Sequence, residues 1–184
     1  AGARAAIKDN VLSNPKVDAA FATHVSSGCP VGMLAYGTIT NAAVYGFKIL
    51  ITGKGTHGAM PENGIDPINV GVHIYLGLQE LIARECASGK EVTLTIGQFN
   101  SGAANNIIPE TAVLQGTLRT FDDETRSYLI QRIHEIVHDL SKAFRARGEV
   151  ETLIDIPAVC CDEQRTEQLA HTFETMDKNL KIIP

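Results

Sequence analysis

Four side chains in this sequence join useful chemistry to a shaped backbone. His57 stands in Gly53-Lys54-Gly55-Thr56-His57-Gly58-Ala59-Met60-Pro61, directly after the apolar run from Phe47 to Ile51. Glycine reaches positive φ at no steric cost, and proline fixes φ while removing a donor. The segment therefore reads as a loop that leaves a strand and holds one imidazole in a defined place. Gly102-Ala103-Ala104-Asn105-Asn106-Ile107-Ile108-Pro109 is a small-residue loop ending in a rigid turn that presents the Asn106 amide. Gly116-Thr117-Leu118-Arg119-Thr120-Phe121 puts Arg119 near a strand's end on its less apolar face, as a solvated residue or as a carboxylate fork. His24 closes the stretch Val17 to Val25 and so stands at a strand's C-terminal end, where open α/β sheets put their ligands. Each residue alone has an ordinary structural explanation. Together, the imidazole, the amide and the guanidinium form a substrate-holding set with no nucleophile.

A fifth candidate does not hold. His134-Glu135-Ile136-Val137-His138 matches His-Glu-x-x-His, in which two imidazoles one turn apart hold zinc. At about 100° per residue, both histidines fall away from the centre of the helix's apolar stripe. A longer form of the signature wants Gly at 141 and His at 144, and the chain has Ser141 and Phe144. The pair reads as surface histidines.

The elements that must position these groups follow from periodicity. Residues 2–11 have helical spacing up to the break at Ser13-Asn14-Pro15, and Val17 to Val25 reads as a short buried strand. Tyr45, Phe47, Ile49 and Ile51 share one face of a strand. Asp66-Pro67 starts a helix whose stripe is Ile68, Val72, Tyr75, Leu78 and Ile82. Strands follow at 91–100 and 111–121. A helix capped by Asp122 or Asp123 comes next, with stripe Leu129, Ile133, Val137, Leu140 and Phe144, ended by Gly148. A strand at 149–156 and a helix at 163–176 complete the chain. The middle thus reads β-α-β-β-α-β, an α+β fold of the ferredoxin-like split type with both helices on one face of a four-stranded antiparallel sheet.

The 184 residues are 44% hydrophobic and 20% charged, enough for one good core. A net charge of −5 without a basic run argues against a nucleic-acid partner, and no apolar stretch is long enough to span a membrane. Cys29, Cys86, Cys160 and Cys161 form no Cys-x-x-Cys pair, which favours reduced thiols in a cytoplasmic protein.

His24-Val25 followed by Pro30-Val31-Gly32, Gly53-x-Gly-x-His57-Gly-Ala-x-Pro61, Asp66-Pro67, Asn106-Ile-Ile-Pro109 and Gly116-Thr-x-Arg119-Thr-Phe121 come in order with compatible spacing. In these segments the chain resembles the zinc aminoacylase/carboxypeptidase family of dinuclear amidohydrolases. It is most similar to the branch of hippurate hydrolase, auxin-conjugate hydrolases and N-acetyl-diaminopimelate deacetylase. The resemblance implies a lid, or dimerisation, domain over residues 39–157, inserted between partial pieces of a catalytic α/β domain at 1–38 and 158–184. It implies a metal-dependent hydrolase of N-acyl amino acids or small peptides, using zinc or another divalent metal such as Mn or Co. It makes His24 a metal ligand and His57 the lid histidine that stabilises the tetrahedral oxyanion, often across a dimer. Asn106 and Arg119 become the groups that hold the substrate carbonyl and carboxylate, and a homodimer through the lid is expected.

No Cys-Gly-His-Asp-x-His segment, adjacent Glu-Glu pair or C-terminal ligand histidine is present. The chain is therefore expected to be a piece of a longer enzyme, inactive and metal-free by itself. Two rival classes are a stand-alone ferredoxin-like binding or assembly module and an independent enzyme with zinc on His134 and His138.

Overall fold

In the computed structural model, which describes residues 2–183, the alternating stretches of the sequence become a four-stranded antiparallel sheet. The elements in chain order are α1 (Gly2–Lys8), β1 (Met33–Ala35), β2 (Ile39–Asn41), β3 (Ala43–Thr52), β4 (Thr56–His57), α2 (Pro67–Glu80), β5 (Val92–Ser101), β6 (Ile107–Ile108), β7 (Thr111–Thr120), α3 (Asp123–Ala143), β8 (Arg147–Ile156), β9 (Val159–Cys160), α4 (Glu163–Met176) and β10 (Lys181–Ile183). They divide into a larger unit, Tyr36–Ala170, and a smaller one made of the segments up to Ala35 and from His171.

The larger unit is built on β3. Its side chains alternate, so Tyr45, Phe47, Ile49 and Ile51 are fully buried while Lys48 and Leu50 stay partly open. β3 pairs with β7 from Ala43↔Thr120 to Thr52↔Thr111 and with β8 on its other side, and β5 closes the order β5-β7-β3-β8. Val70, Ile74, Leu78 and Leu81 from α2 and its extension meet Leu129, Ile133 and Val137 from α3 in one core on the face of Phe47 and Leu114. Both helices therefore cover one face. The arrangement is a mixed α/β fold with antiparallel pairing in all but the small β1–β10 sheet, which is parallel.

Local signals explain the helix starts. Asp66 Oδ1 accepts from the Ile68 and Asn69 amides at 2.8 and 3.4 Å, with Pro67 in the first turn. Asp122 does the same for Thr125 at 2.8 Å. After Glu80 the helix widens into a π-turn, Leu81–Glu85. This turn is pinned to α3 by the Arg132 fork, which donates from Nε and Nη2 to the two Glu85 oxygens at 2.7 and 2.9 Å. Tyr128 Oη donates to the same carboxylate at 2.7 Å. These donors hold Glu85 down from 4.5 to about 2.

Three expectations are corrected. Val17–Val25 is not a buried strand: no strand is assigned there, and Phe21 and Val25 are 78% and 93% exposed. That run lacks period-2 alternation, and among the described residues no ladder partner holds it. Gly148 does not end α3. Arg145 takes the left-handed position at φ 62°, and Gly148 sits in β8, where a Cβ would lie 2.2 Å from Ser141 Oγ. The glycine is needed for close helix–strand packing. Finally, the stripe assigned to α2 lies largely on its outer face. Ile68, Val72 and Tyr75 are 38–43% exposed, while Val70, Ile74 and Leu78 make the core. The helix is apolar on two sides, and periodicity alone picked the wrong one.

Candidate functional site

His57 and Asn106 are brought together by backbone. β4 and β6 form a two-residue antiparallel ladder, His57↔Ile107 and Thr56↔Ile108, extended by Gly58 N–H donating to the Asn106 carbonyl at 2.8 Å. A Cβ on Gly58 would meet that carbonyl oxygen at 3.0 Å, and one on Gly53 would lie 2.2 Å from the Ile65 carbonyl oxygen. Neither glycine is at positive φ. The expectation that these glycines serve unusual dihedrals is thus corrected: they let two loops touch. In the partner loop, Gly102 does take a positive φ of 74°.

The His57 ring is oriented from within its own loop. The Ala59 amide donates to Nδ1 at 3.1 Å, so Nδ1 is the acceptor and the neutral ring carries its proton on Nε2. The Met60 amide closes the turn on the His57 carbonyl at 2.8 Å, and the side chain is exposed. The loop therefore presents an outward Nε2–H donor.

Arg119 lies elsewhere. It is exposed on the face opposite the helices and pairs with Val44 on one side and Thr93 on the other. Thr52, which leads into the His57 loop, is eight residues from Val44 along β3. At about 3.3 Å per residue, Arg119 and the His57–Asn106 pair are separated by about 26 Å, the length of the sheet. One chain cannot bring all three to one small molecule.

His24 belongs to the smaller unit and is exposed. Its Nδ1–H donates to the Val25 carbonyl at 2.6 Å, which leaves the Nε2 lone pair free for a metal. Among the described residues, however, no three His, Cys, Asp or Glu side chains group to hold a metal ion. His134 contacts Tyr45 Oη at 3.3 Å and His138 pairs with Asp139 at 2.8 Å; both histidines are exposed. All four cysteines are free thiols, and no helix of the described residues is long and apolar enough to cross a membrane.

Sequence reasoning passed over one feature. Val72, Tyr75 and Leu76 of α2 and Ile96, Gln98 and Phe99 of β5 line an open apolar groove of about 390 Å³. It runs along an edge strand whose ten residues carry no charge. The other edge, β8, carries Arg147, Glu149, Glu151 and Asp155. Both edges shift register once, β8 against Gly46–Phe47 and β5 between Ile96 and Gln98, so charge is what separates them. Uncharged β5 beside a two-sided apolar helix was the available signal.

Comparison with known proteins agrees with this geometry. Residues 39–145 match the family model described as a peptidase dimerisation domain of M20 type. N-acetyl-L-cysteine deacetylase of Bacillus subtilis is 36% identical over 167 residues, 90% of this chain and 40% of that protein. Thermostable carboxypeptidase 1 of Saccharolobus solfataricus is 34% identical over 186 residues, 100% of this chain and 47% of its own length. The crystal structure of a Bacillus subtilis dinuclear metal binding peptidase from the M20 family superposes with a TM-score of 0.72 at 25% identity, over 98% of this chain and 44% of that one. The chain thus spans two fifths to one half of the length of these relatives. A family model covering most of the sheet and relatives of this identity lead to one assignment: the chain belongs to the M20 peptidase dimerisation domain family.

Proposed function

We propose that this chain is the lid and dimerisation portion of a metal-dependent amidohydrolase that cleaves the amide bond of N-acyl amino acids or small peptides. Residues 39–157 form the lid, and residues 1–38 and 158–184 are parts of the catalytic domain. The sheet order β5-β7-β3-β8 with both helices on one face supports reading the lid as ferredoxin-like. The activities for which similar proteins are named, N-acetyl-L-cysteine deacetylase and N-acyl-L-amino acid amidohydrolase, support the substrate class. Among the described residues no side chains group into a dinuclear site. His24 Nε2 is one donor toward zinc or a similar divalent ion, and the remaining ligands and the base belong to the rest of the enzyme.

The observation that carries the proposal is the separation of Arg119 from His57 and Asn106. Edge strands invite pairing, and β5 is the uncharged edge. Let two copies pair antiparallel through β5 about a two-fold axis near Ile96–Gly97. The start of one β5, where Thr93 pairs with Arg119, then faces the end of the other, which leads into the Asn106 loop. Arg119 of one copy and the His57–Asn106 pair of the other come within three strand spacings, about 12–15 Å. The two grooves would also close on each other, α2 against α2. In that arrangement Arg119 grips the substrate carboxylate with its fork, and Asn106 positions the scissile carbonyl. The Nε2–H of His57 from the other copy donates to the oxyanion as it forms.

The test uses the full-length enzyme. His57→Ala should lower kcat by about 10²–10³, and Arg119→Ala should mainly raise KM. The two inactive variants, co-expressed, should regain about a quarter of wild-type activity, because half the dimers hold one intact composite site. No recovery from confirmed heterodimers would sink the composite site.

A further inference from the structure

At the C-terminal end of α3, on the β8 side of the sheet and away from the β5 edge, four basic residues surround a shallow cleft. Arg147 there pairs with Thr52, at the sheet end that leads into the His57 loop. His138, Lys142, Arg145 and Arg147 line it with Ala146 and Gly148, enclosing about 270 Å³. The chain as a whole is acidic, at −5, so such a concentration of positive charge is unusual here. The acidic groups beside it are Asp139, which pairs with His138 at 2.8 Å, and Glu149, which accepts from Arg147 at 2.7 Å. Among the described residues Lys142 and Arg145 have no acidic partner.

Basic side chains near a helix C-terminus ordinarily serve its last carbonyls. Here they are not needed for that. The Leu140 carbonyl accepts from the Phe144 amide at 3.2 Å, the Ser141 carbonyl from Ala146 at 2.9 Å and the Lys142 carbonyl from Arg145 at 3.0 Å. Backbone satisfies the helix end, and the cationic heads stay free for a ligand. A second observation is independent of charge. Arg145 holds φ 62°, the helix-ending position that glycine or asparagine fills at least cost. An arginine at that position keeps a bulky cation at the rim of the cleft where a smaller residue would be easier to accommodate.

We infer that this cleft binds a small, doubly charged oxyanion, a phosphate group or a dicarboxylate, held by the Arg145 guanidinium fork and Lys142 Nζ, with the Arg147 donors that Glu149 leaves open. Guanidinium offers paired donors that match either oxyanion. The negative end of the α3 dipole opposes the anion. Lys142, Arg145 and Arg147 against Asp139 and Glu149 leave one net positive charge, which still exceeds the dipole's roughly half unit.

The experiment titrates the 184-residue chain, isotope-labelled, with inorganic phosphate and separately with succinate, at ionic strength held constant with sodium chloride. Amide shifts confined to residues 138–149 that saturate with a Kd on the order of 1 mM support the site. Saturation by phosphate alone assigns a phosphate ligand, and saturation by succinate alone assigns a dicarboxylate. Arg145→Gly is the decisive variant. Glycine suits the left-handed backbone, so melting temperature should hold or rise while affinity falls at least about fivefold with the lost fork. Shifts that follow chloride equally and never saturate would overturn the inference. So would an Arg145→Gly chain that binds as wild type does.

Discussion

Replacing Leu76 by Glu should dissolve the dimer proposed through the β5 edge while leaving the fold intact. Leu76 is 55% exposed on the outer face of α2 and lines the groove beside β5. About 100 Å² of leucine surface is thus open in one copy, and two-fold pairing hides it twice. At about 25 cal/mol per Å², that burial contributes about 5 kcal/mol per dimer, so its loss raises the dissociation constant by about 10³–10⁴. Forcing a carboxylate into the closed groove adds a desolvation cost, which makes the figure a lower bound. Leu153→Glu is the matched control: Leu153 is 50% exposed but lies on β8, the charged edge, and its substitution should leave association within about threefold. Sedimentation equilibrium over a hundredfold range of concentration reads both variants, and circular dichroism checks that each is folded. If Leu76→Glu assembles as tightly as wild type, the β5 edge is not the interface. If Leu153→Glu dissociates instead, the choice between edges was reversed.

Two further outcomes concern stability. Glu85 is held at about 2 by Arg132 and Tyr128, so the protonated form must break the clamp. Its contribution is fully present above pH 4.5 and is lost as pH falls toward 2. Glu85→Gln should therefore cost about 1–2 kcal/mol at pH 7 after solvent screening, and the gap to wild type should close between pH 4.5 and about 2. Urea unfolding at several pH values measures this, and a gap that persists at pH 2 would remove the clamp from the account. Gly148→Ala should cost about 1–3 kcal/mol, because its Cβ would lie 2.2 Å from Ser141 Oγ and 2.9 Å from Val137 Cγ1. Adding Ser141→Ala removes the nearest of these atoms and should recover part of that loss.

Much of the lid was legible because alternation is a local signal. Tyr45, Phe47, Ile49 and Ile51 sit two apart and face the core, as do Leu129, Ile133 and Val137 at helical spacing. The helix starts at Asp66 and Asp122 were readable for the same reason, since a cap acts over three residues. What local pattern could not supply was which of two apolar faces on α2 is the core. Val70, Ile74 and Leu78 and the outer row Ile68, Val72 and Tyr75 both repeat at helical spacing, and only the sheet beneath decides. Gly148 was misread because helix ends and close packing both demand a residue without Cβ, and Arg145 had already taken the left-handed position. Val17–Val25 has apolar content without alternation, and composition alone did not make it a strand. The candidate site was legible as a set of residues and only in part as a geometry. The order of the Asn106 loop, the 111–121 strand and Arg119 already implied that β7 carries Arg119 away from that loop. The ladder between His57 and Ile107, which joins His57 to Asn106, had no local signal.

That separation explains why the motif residues sit on the sheet as they do. A strand pair has two ends, and a hairpin that starts with a loop at one end must finish at the other. β6 and the Asn106 loop precede β7, and Arg119 comes near the close of β7, eight residues after Thr111, so most of the ladder intervenes by necessity. In the proposed reading a single lid therefore has the His57–Asn106 pair at one end and the Arg119 fork at the other. Antiparallel pairing of two lids reverses one relative to the other and places unlike ends together, twice, by symmetry. Parallel or face-to-face association would instead set like ends side by side and leave both sets incomplete. On this reasoning the uncharged β5 edge and the apolar outer face of α2 are parts of the substrate-holding apparatus. In the proposed dimer they would fix the distance between His57 of one copy and Arg119 of the other.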